Sequence, residues 1–358
     1  MEFNTRSVLF IFIQFMIVIS PVYSQNNPIL IEEFIFDQAP FESCHASTLA
    51  EGENGLVAAF FAGTHEKHED VEIWSTRKES GIWNKPYSIA DGIFNGARYP
   101  CWNPVLYQVP GGPMLLFYKV GPDPESWWGM IKRSYDGGKS WSDPEKLPEG
   151  NLGPVKNKPV LLKNGRLICP SSTEKNGWRV HMEFTDDFGI SWEPRVPVDP
   201  MSTYEVIQPT ILQLKNGWLR ILCRSKEGVI ISSLSTDQGQ SWSVLEPIEL
   251  PNPNSGIDAV TLSNGTHILA YNHSIKPEKE WGGARYPLNI AISNDGQKWS
   301  ASLVLEDMPG EYSYPSIIQD LEGRVHVVYT WNRKKIKHVV LNPTRLSSRP
   351  IVIWDKEN

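Results

Sequence analysis

An eight-residue pattern recurs along this chain at a nearly constant interval, and that recurrence restricts the fold more than any other feature. Its full copies are Ser134-Tyr-Asp136-Gly-Gly138-Lys-Ser-Trp141, Thr185-Asp-Asp187-Phe-Gly189-Ile-Ser-Trp192 and Ser235-Thr-Asp237-Gln-Gly239-Gln-Ser-Trp242. A fourth, Ser293-Asn-Asp295-Gly296-Gln-Lys-Trp299, is one residue short, and a fifth, from Ser75 through Gly81 to Trp83, has no aspartate. The tryptophans at 83, 141, 192, 242 and 299 stand 58, 51, 50 and 57 residues apart. That is the period of a propeller blade and not of a helical solenoid. Each copy reads as a hairpin turn: the aspartate accepts backbone N–H bonds, the glycine takes a positive φ, and the tryptophan packs under the hairpin. These aspartates staple the fold, so catalysis is sought elsewhere.

A second series lies between the copies of the first. It comprises His45-Ala-Ser-Thr-Leu49, Asn103-Pro-Val-Leu106, Lys158-Pro-Val-Leu161, Gln208-Pro-Thr-Ile211, Asp258-Ala-Val-Thr-Leu262 and Tyr314-Pro-Ser-Ile317, whose first residues are 58, 55, 50, 50 and 56 apart. Most lead into a turn and another apolar strand, as in Leu162-Lys-Asn-Gly165-Arg-Leu-Ile-Cys169. Strand runs with turn signals and no amphipathic helix predict an all-β chain, and six strand starts predict a six-bladed β-propeller carrying Asp-box hairpins. The segment Ile29 to Phe36 precedes the first inner strand and is expected to complete the last blade, which would make residues 25–358 one domain.

Residues 1–24 read as a cleavable secretory signal. Arg6 precedes the apolar run from Val8 to Ile19, and small residues flank a cleavage point between Ser24 and Gln25. No later stretch approaches the roughly 18 apolar residues of a spanning helix. The expected mature protein is therefore secreted. A net charge of −7 gives no basic field for nucleic acid. Four cysteines, Cys44, Cys101, Cys169 and Cys223, leave three pairings open. Cys44 with Cys101 and Cys169 with Cys223 would join equivalent places on neighbouring blades. Two sequons occur, at Asn264 and Asn272.

If the six segments are innermost strands, His45, Asn103, Lys158, Gln208, Asp258 and Tyr314 form a polar ring at one mouth of the channel. Core packing alone would not place six polar side chains there, so the mouth is the expected functional site.

With these residues in view, the chain resembles the sialidase (neuraminidase) superfamily over nearly all of its length after the leader. The resemblance implies six blades, an active site at this mouth, a tyrosine nucleophile and three arginines for the substrate carboxylate. Tyr314-Pro-Ser-Ile matches the place of the nucleophile. Arg224, in Leu222-Cys-Arg-Ser225, matches the second arginine, and Arg285, in Gly283-Ala-Arg-Tyr-Pro287, matches the third. Guanidinium groups suit a carboxylate because they donate in parallel. Two positions depart from the family. His45-Ala-Ser stands where the first arginine belongs, and Gln208 stands where a glutamate activates the tyrosine. An amide cannot take a proton from a phenol whose ordinary pKa is about 10.

The family's acid/base carboxylate falls in a loop that here reads Gly63-Thr-His65-Glu66-Lys-His68-Glu69-Asp70, which makes Glu66 and Asp70 the candidate acids. A carboxyl desolvated at a channel mouth has its pKa raised towards working pH. His65 and His68 have no third ligand in register, so neither metal nor cofactor is expected. Trp102, Trp127, Trp128, Trp281 and Tyr286 fall in predicted loops, where aromatic faces stack on sugar rings. Arg98-Tyr-Pro100 echoes Arg285-Tyr-Pro287, which offers Arg98 as a replacement for the missing arginine, and Lys158 is a further cation.

The leading expectation is a secreted, monomeric, sialidase-like exo-glycosidase acting on a terminal acidic sugar of a glycan. Arg224 and Arg285 would hold its carboxylate with help from Arg98 or Lys158. Asn103, Trp102 and Tyr286 would complete the substrate site. Tyr314 and Asp258 would line the reacting centre while Glu66 or Asp70 protonates the leaving oxygen. An inverting route with two carboxylates and a water remains open if Gln208 forbids attack by tyrosine. The alternatives are a polysaccharide lyase using His45 with Tyr314 next to a uronic acid, and a glycan-binding propeller without turnover.

Overall fold

Short apolar runs broken by Gly, Pro, Asn and Asp are too short to build helices with a buried face, and they form narrow sheets instead. A computed structural model describes residues 26–354; the expected signal segment lies outside them. The described residues form six antiparallel sheets of four strands, the first with one strand more, and one two-stranded hairpin, with two single-turn 3-10 helices after the last strand. This is a six-bladed β-propeller. The innermost strands are Ser43–Gly52, Cys101–Gln108, Val160–Leu161, Val206–Gln213, Asp258–Thr261 and Tyr312–Gln319. Five blades use consecutive strands. The sixth takes Tyr312–Gln319, Val325–Trp331 and Lys335–Leu341 from the end of the chain and completes itself with Ile29–Phe34 from the beginning, as the early apolar run implied.

Neighbouring blades meet over apolar faces. Six buried clusters fill the six gaps, such as Phe117 and Ile131 of the second blade against Trp192 of the third, and Phe60 of the first against Val328 and Ile336 of the sixth. The inner strands are stitched to their neighbours by side chains: Leu106 N donates to Thr48 Oγ1 (3.1 Å), Ala259 N to Thr210 Oγ1 (3.1 Å) and Ile317 N to Asp258 Oδ2 (2.9 Å).

The Asp boxes are contacts between blades as well as turns. Asp136 Oδ1 accepts from the backbone N–H of Lys139 (3.0 Å) and Ser140 (2.9 Å), Asp187 Oδ1 from those of Ile190 and Ser191, and Asp237 Oδ1 from that of Ser241. Hydrogen bonds from Ser140 hold the Asp136 carboxyl down at about 2. Each box glycine docks on the preceding blade: a Cβ at Gly189 would lie 2.9 Å from Ile131 Cδ1, and one at Gly239 2.5 Å from Ile168 Cδ1. With φ at 90° and 88°, both positions exclude other residues on two counts. The box tryptophans pack across the same seams; Trp192 meets Phe117 edge-on at 6.1 Å.

The strand register fixes which loops share an end. Cys101 faces Val120, Val206 faces Ser225 and Tyr312 faces Trp331, so second strands return to the end where inner strands begin. Loops between second and third strands gather there, and the Asp boxes lie at the opposite end. All four cysteines are buried free thiols, so neither suggested pairing is formed. Burial pushes the Cys44 thiol up to about 12. Among the described residues no helix is long and apolar enough to cross a membrane.

Candidate active site

Four inner strands carry a bulge at the same level near the channel mouth. Residues 46–47, 103–104, 208–209 and 314–315 each stand opposite a single residue of the second strand. The first of each pair has left-handed backbone: Ala46 at φ 55°, Asn103 at 40°, Gln208 at 55° and Tyr314 at 52°. Lys156, at 72°, takes this part in the third blade, where Val155 N still donates to Pro170 O (2.9 Å) and pairing resumes at Val160. Such backbone costs about 1–3 kcal/mol per residue and clusters at functional sites, and bulges re-aim side chains.

This corrects the ring read from sequence. Asn103, Gln208 and Tyr314 are equivalent, whereas His45 stands one residue before the bulge, Lys158 two residues beyond Lys156, and Asp258 on a strand whose pairing has no shift.

The bulges bring Gln208 and Tyr314 together across the channel. Tyr314 Oη accepts from Arg224 Nη1 (2.9 Å) and Gln208 Nε2 (3.1 Å). Arg224 donates through Nε to Asn254 Oδ1 (2.7 Å), whose amide donates to Trp281 O (2.7 Å). The Arg224 guanidinium is buried and lies 5.2 Å from the ring centroids of both Trp178 and Trp281. Arg285 lies 5.9 Å from the Tyr314 ring centroid and donates to Glu311 Oε1 at 3.0 Å. Arg333 donates to the same oxygen at 2.7 Å and to Glu66 Oε2 at 2.6 Å. A cleft of about 400 Å³ opens between Trp281, Arg285, Glu311 and Arg333.

The surroundings set the charges. Burial drives the His45 imidazole well below its ordinary pKa, and Arg333, Arg285, Arg224 and Lys156 push it the same way. Its ring centroid is 4.2 Å from that of Tyr314, and Nδ1 pairs with Thr330 Oγ1 at 2.9 Å. Burial works to raise the Glu311 carboxyl, but Arg333 and Arg285 prevail and lower it. Burial lowers the Lys156 ammonium to about 7.

Several expected residues lie elsewhere or do other work. Asp258 is bound by Lys158 Nζ (2.8 Å), Thr210 Oγ1 (2.8 Å) and Ile317 N (2.9 Å); it and Lys158 tie inner strands together and do not line the reacting centre. Asp70 accepts from Thr64 N (3.0 Å) and Thr64 Oγ1 (2.6 Å), and these bonds with the His68 contact outweigh its desolvation and lower its pKa, the wrong direction for an acid. Arg98 donates to Glu72 Oε1 (2.5 Å) and Glu69 O (3.0 Å); Arg333, not Arg98, joins Arg224 and Arg285. Trp102 is in a strand and buried, with Nε1 donating to Gly121 O at 2.8 Å; Trp127 packs beside it, and Trp128 begins a strand. Tyr286 packs between the fifth and sixth blades. Of the proposed aromatic platforms only Trp281 is exposed over the site.

Sequence reasoning missed Arg333, Glu311, Lys156 and Glu174. Arg333 sits in the loop between second and third strands of its blade, the kind of loop that also supplies Arg285, and that shared position was the available signal. Glu174 occupies the matching loop of the third blade and lines a neighbouring cleft of about 380 Å³ with Trp127, Trp128 and Lys175. Desolvation raises its carboxyl although Arg224 and Trp178 oppose the shift. No group of three His, Cys, Asp or Glu that could hold a metal ion occurs among the described residues.

Comparison with known proteins places this architecture. Residues 54–327 match the model of the BNR repeat-like domain. The anhydrosialidase of Macrobdella decora is 24% identical over 260 residues, covering 62% of this chain and 33% of that protein, so the chain spans about a third of that relative's length. A Dyadobacter fermentans protein of unknown function superposes with a TM-score of 0.71 at 18% identity, covering 88% of this chain and 98% of that one. A sialidase from Streptococcus pneumoniae superposes at 0.66 and 14% identity, covering 90% and 71% respectively. The family match spans well over half of the chain and the fold is shared with sialidases: the chain belongs to the BNR repeat-like domain family, within the sialidase-like superfamily.

Proposed function

We propose that this protein is a secreted, sialidase-like exo-glycosidase that removes a terminal acidic sugar from a glycan. The carrying observation is the meeting of Tyr314 Oη with two N–H donors, from Arg224 and Gln208, beside a cleft in which Arg285 and Arg333 converge on one carboxylate oxygen. In this reading Arg285 and Arg333 take the substrate carboxylate by charge-assisted hydrogen bonds. Arg224 is occupied with Tyr314 and Asn254 and fixes the phenol. Gln208 is no base, so Tyr314 keeps its proton and acts electrostatically on the positive charge that develops at the anomeric carbon. The glycosidic C–O bond breaks, a carboxylic acid protonates the leaving oxygen, and water gives its hydroxyl to the anomeric carbon and its remaining proton back to the carboxylate. Glu174 is the carboxyl whose surroundings suit that acid. The sialidase names of the Macrobdella and Streptococcus proteins support the substrate class. A screen against sialosides, uronic-acid oligosaccharides and rhamnosylated glycans tests it, with Tyr314→Phe as control. Turnover unchanged in that variant would sink the site.

One observation favours a second reading, a polysaccharide lyase. His45 packs against Tyr314, and its burial keeps the imidazole neutral. Elimination next to a uronic acid yields an unsaturated product, which ultraviolet absorbance detects and hydrolysis does not produce.

A further inference from the structure

Beneath Tyr314 lies a lysine that no expectation singled out. Lys156 reaches from the bulge of the third blade into the channel floor, where Nζ donates to Asn157 Oδ1 (2.9 Å), Ile257 O (2.6 Å) and Pro315 O (2.5 Å). Those acceptors belong to the third, fifth and sixth blades, and Pro315 directly follows Tyr314. Nζ stands 5.9 Å from the Tyr314 ring centroid. Gly256 closes the other side: a Cβ there would come within 3.2 Å of Tyr314 Cδ2 and 3.3 Å of Lys156 Cε. The lysine is buried.

An ammonium has three N–H groups, and all three are used. A neutral amine has two, so one of the three acceptors would lose its donor. We propose that Lys156 is the positioning residue of Tyr314: three N–H bonds from its ammonium clamp the Tyr314–Pro315 segment to the third and fifth blades and hold the left-handed backbone that aims Oη at Arg224 and Gln208. The relevance to catalysis rests on the glycosidase reading, whereas the clamp itself does not. Burial, supported by Lys158 and Arg224 and opposed by Asp258, brings the Lys156 pKa to about 7. Tyr314 and His45 are the other titratable groups packed in this floor. The clamp is complete below that pH and loses a bond above it.

The test needs no substrate. In protein labelled with 13Cε-tyrosine, the Tyr314 resonance is identified by its loss in Tyr314→Phe and followed from pH 5.5 to 9. The expected result is a shift with a midpoint of about 7 in the wild type and no such shift in Lys156→Arg, which keeps its charge over this range. Lys156→Met is expected to hold a single position unlike the acid form. A resonance that does not move in the wild type, or moves equally in Lys156→Arg, overturns the proposal, and it does so even if the methionine variant fails to fold. On a substrate from the screen, kcat is expected to fall about tenfold as pH rises past the same midpoint with KM nearly constant, a limb that Lys156→Arg removes. If the resonance behaves as expected but no acidic glycoside is turned over, the glycosidase reading fails and the clamp stands.

Discussion

Arg285 and Arg333 donate to the same oxygen of Glu311, at 3.0 and 2.7 Å, although one comes from the fifth blade and the other from the sixth. The shared carboxylate holds both guanidinium groups on the wall of one cleft. Arg333→Ala is expected to reduce kcat/KM on the acidic substrate by about 10- to 100-fold, the worth of a charge-assisted hydrogen bond of about 1.5–3 kcal/mol, mostly through KM. Arg333→Lys should recover little of it, because an ammonium lacks the planar fork. Steady-state kinetics of the two variants check both statements.

Gln208 supplies an amide where a base would activate Tyr314. Gln208→Glu puts a carboxylate against Oη and Arg224, and it is expected to raise kcat by about 10²-fold if a basic partner is what the tyrosine lacks, the lower end of the usual range for general base catalysis. Unchanged or lower turnover would mean that Tyr314 acts electrostatically and needs the neutral amide.

Glu174 and Asp70 are distinguished by the leaving group. Glu174→Gln is expected to slow natural glycosides by about 10²-fold while leaving activated aryl glycosides nearly untouched, since a good leaving group needs no proton. Asp70→Asn should slow both classes equally and modestly, because its loss loosens the loop that Thr64 and His68 fasten.

The closing blade should be acid-labile. Asp320, His326, His338 and Glu33 form one buried chain of contacts at 2.9, 2.9 and 2.8 Å, with Arg324 on Asp320 and Lys78 on Glu33. Burial lowers His326 to about 4 and lowers His338 as well. Histidines that resist protonation when folded but accept it when unfolded stabilise the fold above their ordinary value of about 6.5, and that contribution is lost as pH falls from there towards 4. Glu33, held at about 2, loses its own contribution below about 4.5. The melting temperature is therefore expected to fall between pH 7 and 5, and less steeply in His326→Gln.

Gly189→Ala tests the Asp box as a seam. The new methyl meets Ile131 at 2.9 Å and a φ of 90°. A loss of about 2–4 kcal/mol is expected from strain and overpacking together, seen as a drop of several degrees in melting temperature with the active site intact.

The repeats made the blade count readable because a blade is a local unit: Trp141, Trp192 and Trp242 mark hairpins whose period survives any change in the loops. Tyr314 and Gln208 were placed at the mouth for the same reason, since each holds a fixed place on a repeat, whereas Arg224 and Arg285 came from the resemblance to the family. Lys156 was not, because two extra residues in its bulge shift the frame, and Lys158 took its place in the pattern. Arg333 was not, because a basic turn reads as solvated surface until the register puts it beside Glu311. Asp258 and Asp70 misled in the opposite direction. Their positions fit a site, but Lys158, Thr210 and Thr64 consume their oxygens, and no spacing rule counts hydrogen bonds. Trp102 was assigned to a loop, whereas it is the second residue of the strand that begins at Cys101.

The seam between Ile29–Phe34 and Lys335–Leu341 also bears on how the protein is made. The earlier strand pairs with one made some three hundred residues later, so five blades can assemble while the outer strand of the sixth waits for its three inner partners. Until then the sixth blade exposes an unpaired strand edge, the kind of surface on which other chains add. Synthesis that stops short of residue 335 would leave a ring with no last partner, and such chains are the ones that should aggregate.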